Sequence, residues 1–82
     1  MIRRRKLASK IWKQSITLGR HKTSISLEAA FWDSLKEIAA RERVSIAALV
    51  TRIDADRQHA NLSSAVRLYV LDHYRRLSET QR

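Results

Sequence analysis

The side chains able to do chemistry in this sequence are donors and cations, not nucleophiles. Arg3, Arg4, Arg5, Lys6, Lys10, Lys13, Arg20 and Lys22 put eight cations and no acid into the first 22 residues. Such a run suits a polyanion, because each phosphate it neutralises releases a condensed counterion. The alternatives to this preferred reading are an anionic membrane surface and a solvated tail. A second set alternates: in HKTSISLE, residues 21–28, Lys22, Ser24 and Ser26 interleave with Thr23, Ile25 and Leu27. Period-two geometry sends these sets to opposite faces of a strand, Ile25 and Leu27 toward a core and the amine and hydroxyls outward. Taken alone, that outward face is a solvated one. A third feature, Ser45 ahead of IAALV, is placed to cap a helix.

Other chemistries lack their residues. There is no Cys, so neither a disulfide nor a thiol nucleophile is available, and a reducing compartment is expected. His21, His59 and His73 share no helical face, and Asp54, Asp56 and His59 read as a solvated helix end rather than a metal site. With no paired carboxylates and no glycine-rich loop, neither an enzyme nor a cofactor is expected. No run approaches the roughly 18 apolar residues of a membrane span. The first 15 residues, MIRRRKLASKIWKQS, do have the acid-free, Arg-rich character of an amphipathic presequence, with Leu7 and Ile11 on one helical face. Trp12, between Lys10 and Lys13, could stack on a base, enter a membrane interface or pack back on the body.

Several elements must position these groups. Gly19, the sole glycine, separates two alternating pieces, Ser15–Leu18 and Thr23–Leu27. They form either a hairpin around Gly19-Arg20-His21 or one extended ribbon kinked at the glycine, and the second is preferred because the pieces differ in charge. A first helix is predicted from Glu28 to Arg43, with Phe31, Leu35, Ile38 and Ala39 as its apolar stripe and Ser26 or Glu28 serving its first amides. Trp32 lies just off that stripe and is expected to be partly buried. Ser45 caps a second helix, Ile46 to about Arg57, whose stripe is Ile46, Leu49, Val50 and Ile53. DRQHAN connects it to a third helix, capped by Asn61 or Ser63 and running to about Leu77, with Leu62, Val66, Tyr69, Val70 and Leu77 on one face.

At 82 residues the chain is a single small domain. Chains near this size bury only about 60% of their unfolded surface, and oligomerisation is one way to add to it. A lone strand followed by two amphipathic helices cannot satisfy its own backbone edge. The same strand from a second copy would do so about a two-fold axis.

That order of elements, carried by KTSISL, FWDSLKEIA and VSIAALV, resembles the ribbon-helix-helix family of the methionine and Arc repressors over residues 20–57. TSISLEAAFWDSLKEIA followed by NLSSAVRLYVL is similar to a bacterial branch with an extra C-terminal helix. The resemblance implies a mainly α fold of one strand and two helices per protomer, an intertwined homodimer with a two-stranded antiparallel ribbon, and an additional C-terminal helix. It implies that the ribbon enters the DNA major groove, with Lys22, Ser24 and Ser26 at the base-reading positions. Ser45 and the amides of Ile46 and Ala47 match the family's phosphate grip. Arg3, Arg4, Arg5, Lys6, Lys10, Lys13 and Arg20 would add phosphate contacts. Ile25, Leu27, Phe31, Leu35, Ile38, Leu49, Val50 and Ile53 would form the dimer core. One departure is Arg43, which stands where the family commonly has glycine.

The expectation is a cytoplasmic, nucleoid-associated transcriptional regulator that binds double-stranded DNA and itself, as a homodimer or a higher-order assembly. Its parts would be a basic arm (1–19), a ribbon-helix-helix core (20–57) and a connector with a C-terminal helix (58–82). The alternatives are a non-enzymatic module that docks a protein partner on its C-terminal helix, and an antitoxin or plasmid-type DNA-binding factor. The third helix is too regularly patterned to be the disordered tail that wraps a toxin.

Overall fold

The computed structural model describes residues 9–56 and 61–80. Two antiparallel strands, β1 (Ile11–Leu18) and β2 (His21–Glu28), are followed by helices α1 (Ala29–Glu42), α2 (Ile46–Asp56) and α3 (Leu62–Thr80). This is the mainly α architecture expected, additional C-terminal helix included. The predicted end of the second helix at Arg57 and most of the connector lie outside the described residues.

The preferred reading of Ser15–Leu18 is corrected here. The two alternating pieces fold back on each other, and the register runs without interruption from Leu18 opposite His21 to Ile11 opposite Glu28. Gly19 makes this reversal at φ +62, while Arg20 stays out of the positive-φ region. A glycine at the first of two central turn positions matches the right-handed twist of the flanking strands. Ile16 and Leu18 then face the same side as Ile25 and Leu27, so pairing within the chain also joins their apolar surfaces. β2 is therefore not a lone strand, and its ladder partner comes from its own chain.

The helices close beneath the hairpin. Ile25, Leu27, Leu35, Ile38, Leu49, Val50 and Val66 are fully buried, with Trp32, Ala39, Ile53, Leu62 and Val70 nearly so. On α1 the stripe is rotated from its predicted position: Trp32 is only 3% exposed, and Phe31 is half-buried at the flank. The reason is a polar handle, since the Trp32 indole N–H donates to the Trp12 carbonyl at 3.0 Å. A buried indole needs such an acceptor, and β1 supplies it.

Each helix end has a local cause. No side-chain cap serves the start of α1; instead the Ala29 amide donates to the Lys10 carbonyl at 2.8 Å, extending the hairpin ladder into the helix. The expected capping by Ser26 or Glu28 is thus replaced by a rung of backbone. At the other end Arg43 sits at φ 58, ψ 40. The Val44 amide donates to the Ala39 carbonyl at 3.0 Å and the Arg43 amide to the Ala40 carbonyl at 3.2 Å, the paired bonds of a Schellman turn. Ser45 Oγ accepts from the Ala48 amide at 3.0 Å, and Asn61 Oδ1 accepts from the Ser64 amide at 2.8 Å, capping α2 and α3.

Candidate nucleic-acid interface

Residues directly opposite in an antiparallel pair share a face. The register therefore sorts the hairpin into two sides. Toward the helices lie Trp12 with Leu27, Gln14 with Ile25, Ile16 with Thr23 and Leu18 with His21. Away from them lie Ile11 with Glu28, Lys13 with Ser26, Ser15 with Ser24 and Thr17 with Lys22. Lys22 and Ser24 are exposed and Ser26 is half-buried, with Lys13, Ser15 and Thr17 exposed beside them. The outward face thus carries four hydroxyls and two ammonium groups on six adjoining positions of one chain.

Reading the sequence with β2 as the only ribbon strand missed Ser15 and Thr17. The signal that could have found them is the alternation of KQSITL ending at Gly19, which is a hairpin signature.

The far end of this face is electrically balanced. Arg67 Nε donates to Glu28 Oε1 at 2.9 Å, and its terminal nitrogen reaches the Ser26 carbonyl at 3.4 Å. A hydrogen bond from its own backbone amide, and then the Arg67 guanidinium, hold the Glu28 carboxyl below the usual range. Glu28 stays ionised with its charge met locally, so a carboxylate at the edge of a basic face is neutralised in place. The Ser26 amide donates to Ser63 Oγ at 3.2 Å, so α3 occupies the edge of β2 that faces away from β1.

The remaining candidates are dispersed. Arg20 is exposed in the turn. Lys10 lies just ahead of β1, its ammonium 4.7 Å from the centroid of the Trp12 ring, which is itself 49% exposed. Trp12 therefore sits on the helix-facing side of the hairpin under a cation. Arg3, Arg4, Arg5 and Lys6 lie outside the described residues. The amides of Ile46 and Ala47 open α2, and among the described residues neither has an acceptor; Ser45 Oγ is engaged by Ala48. Ile25, Leu27, Leu35, Ile38, Leu49, Val50 and Ile53 lie together in the core of the single chain, with Phe31 at its margin. No helix of the described residues is long and apolar enough to cross a membrane.

A second polar cluster holds α3 to the α1–α2 corner. Glu42 accepts from Arg52 and from the Tyr69 hydroxyl, and Glu37 Oε1 accepts from the Tyr74 hydroxyl at 2.6 Å. The Arg52 hydrogen bond, above all, keeps the Glu42 carboxyl below its ordinary range. Burial, and then the neighbouring carboxylates, push both tyrosine hydroxyls up.

Comparison with known proteins agrees with this arrangement. The family model "Ribbon-helix-helix domain" matches residues 11–74, a span that begins at the first residue of β1 and runs well into α3. Among solved structures, an uncharacterized protein from Bordetella pertussis Tohama I is 28% identical with a TM-score of 0.78, over 98% of this chain and 68% of that one. Comparison with curated proteins finds none that matches. With a two-stranded ribbon followed by helices, and the family match spanning most of its length, the chain belongs to the ribbon-helix-helix family, a DNA-binding fold.

Proposed function

We propose that this protein is a sequence-specific DNA-binding transcriptional regulator that inserts its two-stranded ribbon into the major groove. The observation that carries this reading is the outward face of the hairpin, where Lys22, Ser24 and Ser26 stand beside Lys13, Ser15 and Thr17 with the apolar residues of both strands turned inward. A two-stranded ribbon is of a size the major groove admits. Lys22 would donate to guanine O6 and N7, while the serine hydroxyls donate or accept and so discriminate less. Lys10, Lys13, Arg20 and the Arg3–Lys6 run would neutralise phosphates, and the open amides of Ile46 and Ala47 beside Ser45 would receive one more. A short ribbon of hydroxyls and lysines specifies few base pairs. Two copies acting as a homodimer on repeated half-sites would supply the missing specificity. Such work belongs in the cytoplasm, on the nucleoid.

A second reading is favoured by one observation. Leu68 and Leu71 on α3 are 60% and 51% exposed, an apolar pair suited to a protein partner. In that case the ribbon would be a scaffold and α3 the working surface.

Selection of duplexes from a random-sequence pool at about 150 mM salt, where surface charges are already well screened, separates the two readings. Recovery of a short repeated motif supports the regulator. Recovery of unselective binding that vanishes as salt rises leaves only the electrostatics of the basic residues and favours the docking module.

A further inference from the structure

α3 is committed on one side only. Leu62, Val66 and Val70 enter the core, Arg67 holds Glu28, and Tyr69 and Tyr74 donate to Glu42 and Glu37. These contacts fix the inner face of the helix to the body. Leu68 and Leu71 fall off that stripe and stay in water. They border a shallow groove of about 470 Å³ along the helix's own outer surface, continued by Asp72, Arg75, Arg76 and Glu79. Two acids and two bases cancel there, whereas the chain as a whole carries +9. A face of zero net charge does not draw a polyanion or an anionic bilayer. It is a face on which two cationic copies can meet with the least mutual repulsion.

The order of its residues is self-complementary in one arrangement. At 1.5 Å per residue, Leu68 and Arg75 lie about 5 Å on either side of the midpoint between Leu71 and Asp72. Two α3 helices crossing antiparallel at that midpoint stack Leu71 on Leu71 of the other copy. Each Leu68 then lies along the Arg75 stem of the other copy, and each Arg75 guanidinium reaches the other copy's Asp72. Within the chain Asp72 accepts from Arg76 Nε at 3.0 Å in an exposed pair, and a carboxylate accepts from more than one cation. Arg75 meets no carboxylate among the described residues, although Glu79 stands one turn further on. We propose that the outer face of α3, centred on Leu71, is a self-association surface that joins two copies of this chain by antiparallel helix packing. It rests neither on the DNA-binding reading nor on any pairing through the ribbon. Two leucines per copy make a small patch, and interfaces burying less than about 1,200 Å² are weak, so the contact forms at micromolar concentrations and above.

The test uses the full chain, with sedimentation velocity from about 10 to 500 µM reading the largest species present. L68S/L71S should weaken the last association step at least about tenfold, seen as a halving of that species' mass. Its thermal unfolding should match wild type, because both side chains are exposed in the single chain. D72R and R75D should each weaken the step, and the D72R/R75D exchange should restore it by rebuilding the contact between copies. The chain has no cysteine, so L71C is a clean cross-linking probe that needs no other change. Under mild oxidation it should form covalent pairs several times faster than K36C, whose site on α1 is also exposed. Wild type and L68S/L71S of equal mass throughout the range would overturn the proposal, as would equal cross-linking of L71C and K36C. An exchange variant as weak as its single-reversal parents would overturn the antiparallel contact.

Discussion

Arg43 shows how a single residue can be held against its own preference. A side chain at φ 58 costs roughly 1 kcal/mol relative to glycine, yet the Schellman bonds to Ala39 and Ala40 and the packing of Val44 keep the turn in place. Arg43→Gly should therefore raise stability by up to about 1 kcal/mol, whereas the β-branched Arg43→Val should lower it, as read from chemical denaturation midpoints. Lys22 is different, because it is exposed and among the described residues nothing engages its ammonium. Lys22→Ala should leave unfolding unchanged while removing about 1–3 kcal/mol of discrimination at one guanine position, checked by competition between matched and mismatched duplexes. The alternation of residues 22–27 on β2 was legible in the sequence. The exchange of Phe31 for Trp32 in the core was not, since it depends on the Trp12 carbonyl twenty residues earlier in the chain.

At the level of elements, α3 is tied on by ionised contacts as well as by Leu62, Val66 and Val70. Glu28 with Arg67, and Glu42 with Arg52 and Tyr69, connect it to the hairpin and to the α1–α2 corner. Both carboxyls are held below their ordinary value of 4.5, so in acid the unfolded chain binds more protons than the folded one. Their contribution is complete above about that value and is lost as pH falls through the depressed folded values. Melting curves collected from pH 6 down to pH 3 should show falling stability, and Glu42→Gln should flatten that fall; an unchanged slope would remove Glu42 from the account. The second and third helices were legible, because Ser45 and either Asn61 or Ser63 are local cap candidates and the apolar spacing is local too; Asn61 is the cap that forms. The strand pairing was not legible, since the difference in charge between the two pieces favours one extended ribbon, and only the cross-strand register joins them as a hairpin.

For the whole molecule, the decisive property is a core that closes within one chain. Leu27 is fully buried between the hairpin and the helices, and Leu27→Ala should cost about 2–5 kcal/mol, enough to unfold much of so small a domain; circular dichroism at 25 °C would show it. The charge distribution belongs to this scale as well, with eight cations unopposed in the first 22 residues of a chain of net charge +9. If 6–10 phosphates are neutralised, affinity should fall about 10³–10⁵-fold between 50 and 200 mM salt, and deleting residues 1–8 should reduce the slope without changing the selected motif. Equilibrium titrations at several salt concentrations would measure both.

By itself the sequence determined the periodicities: which residues of β2 face inward, where α2 and α3 begin, and that the basic charge gathers at one end. These are readable because each follows from geometry that repeats within a few residues. Only the tertiary structure decided what β2 pairs with, which of Phe31 and Trp32 enters the core, and that α3 holds the edge of β2 at Ser26. Those outcomes are choices between partners distant in the chain, and periodicity reports that a face must be covered without saying what covers it.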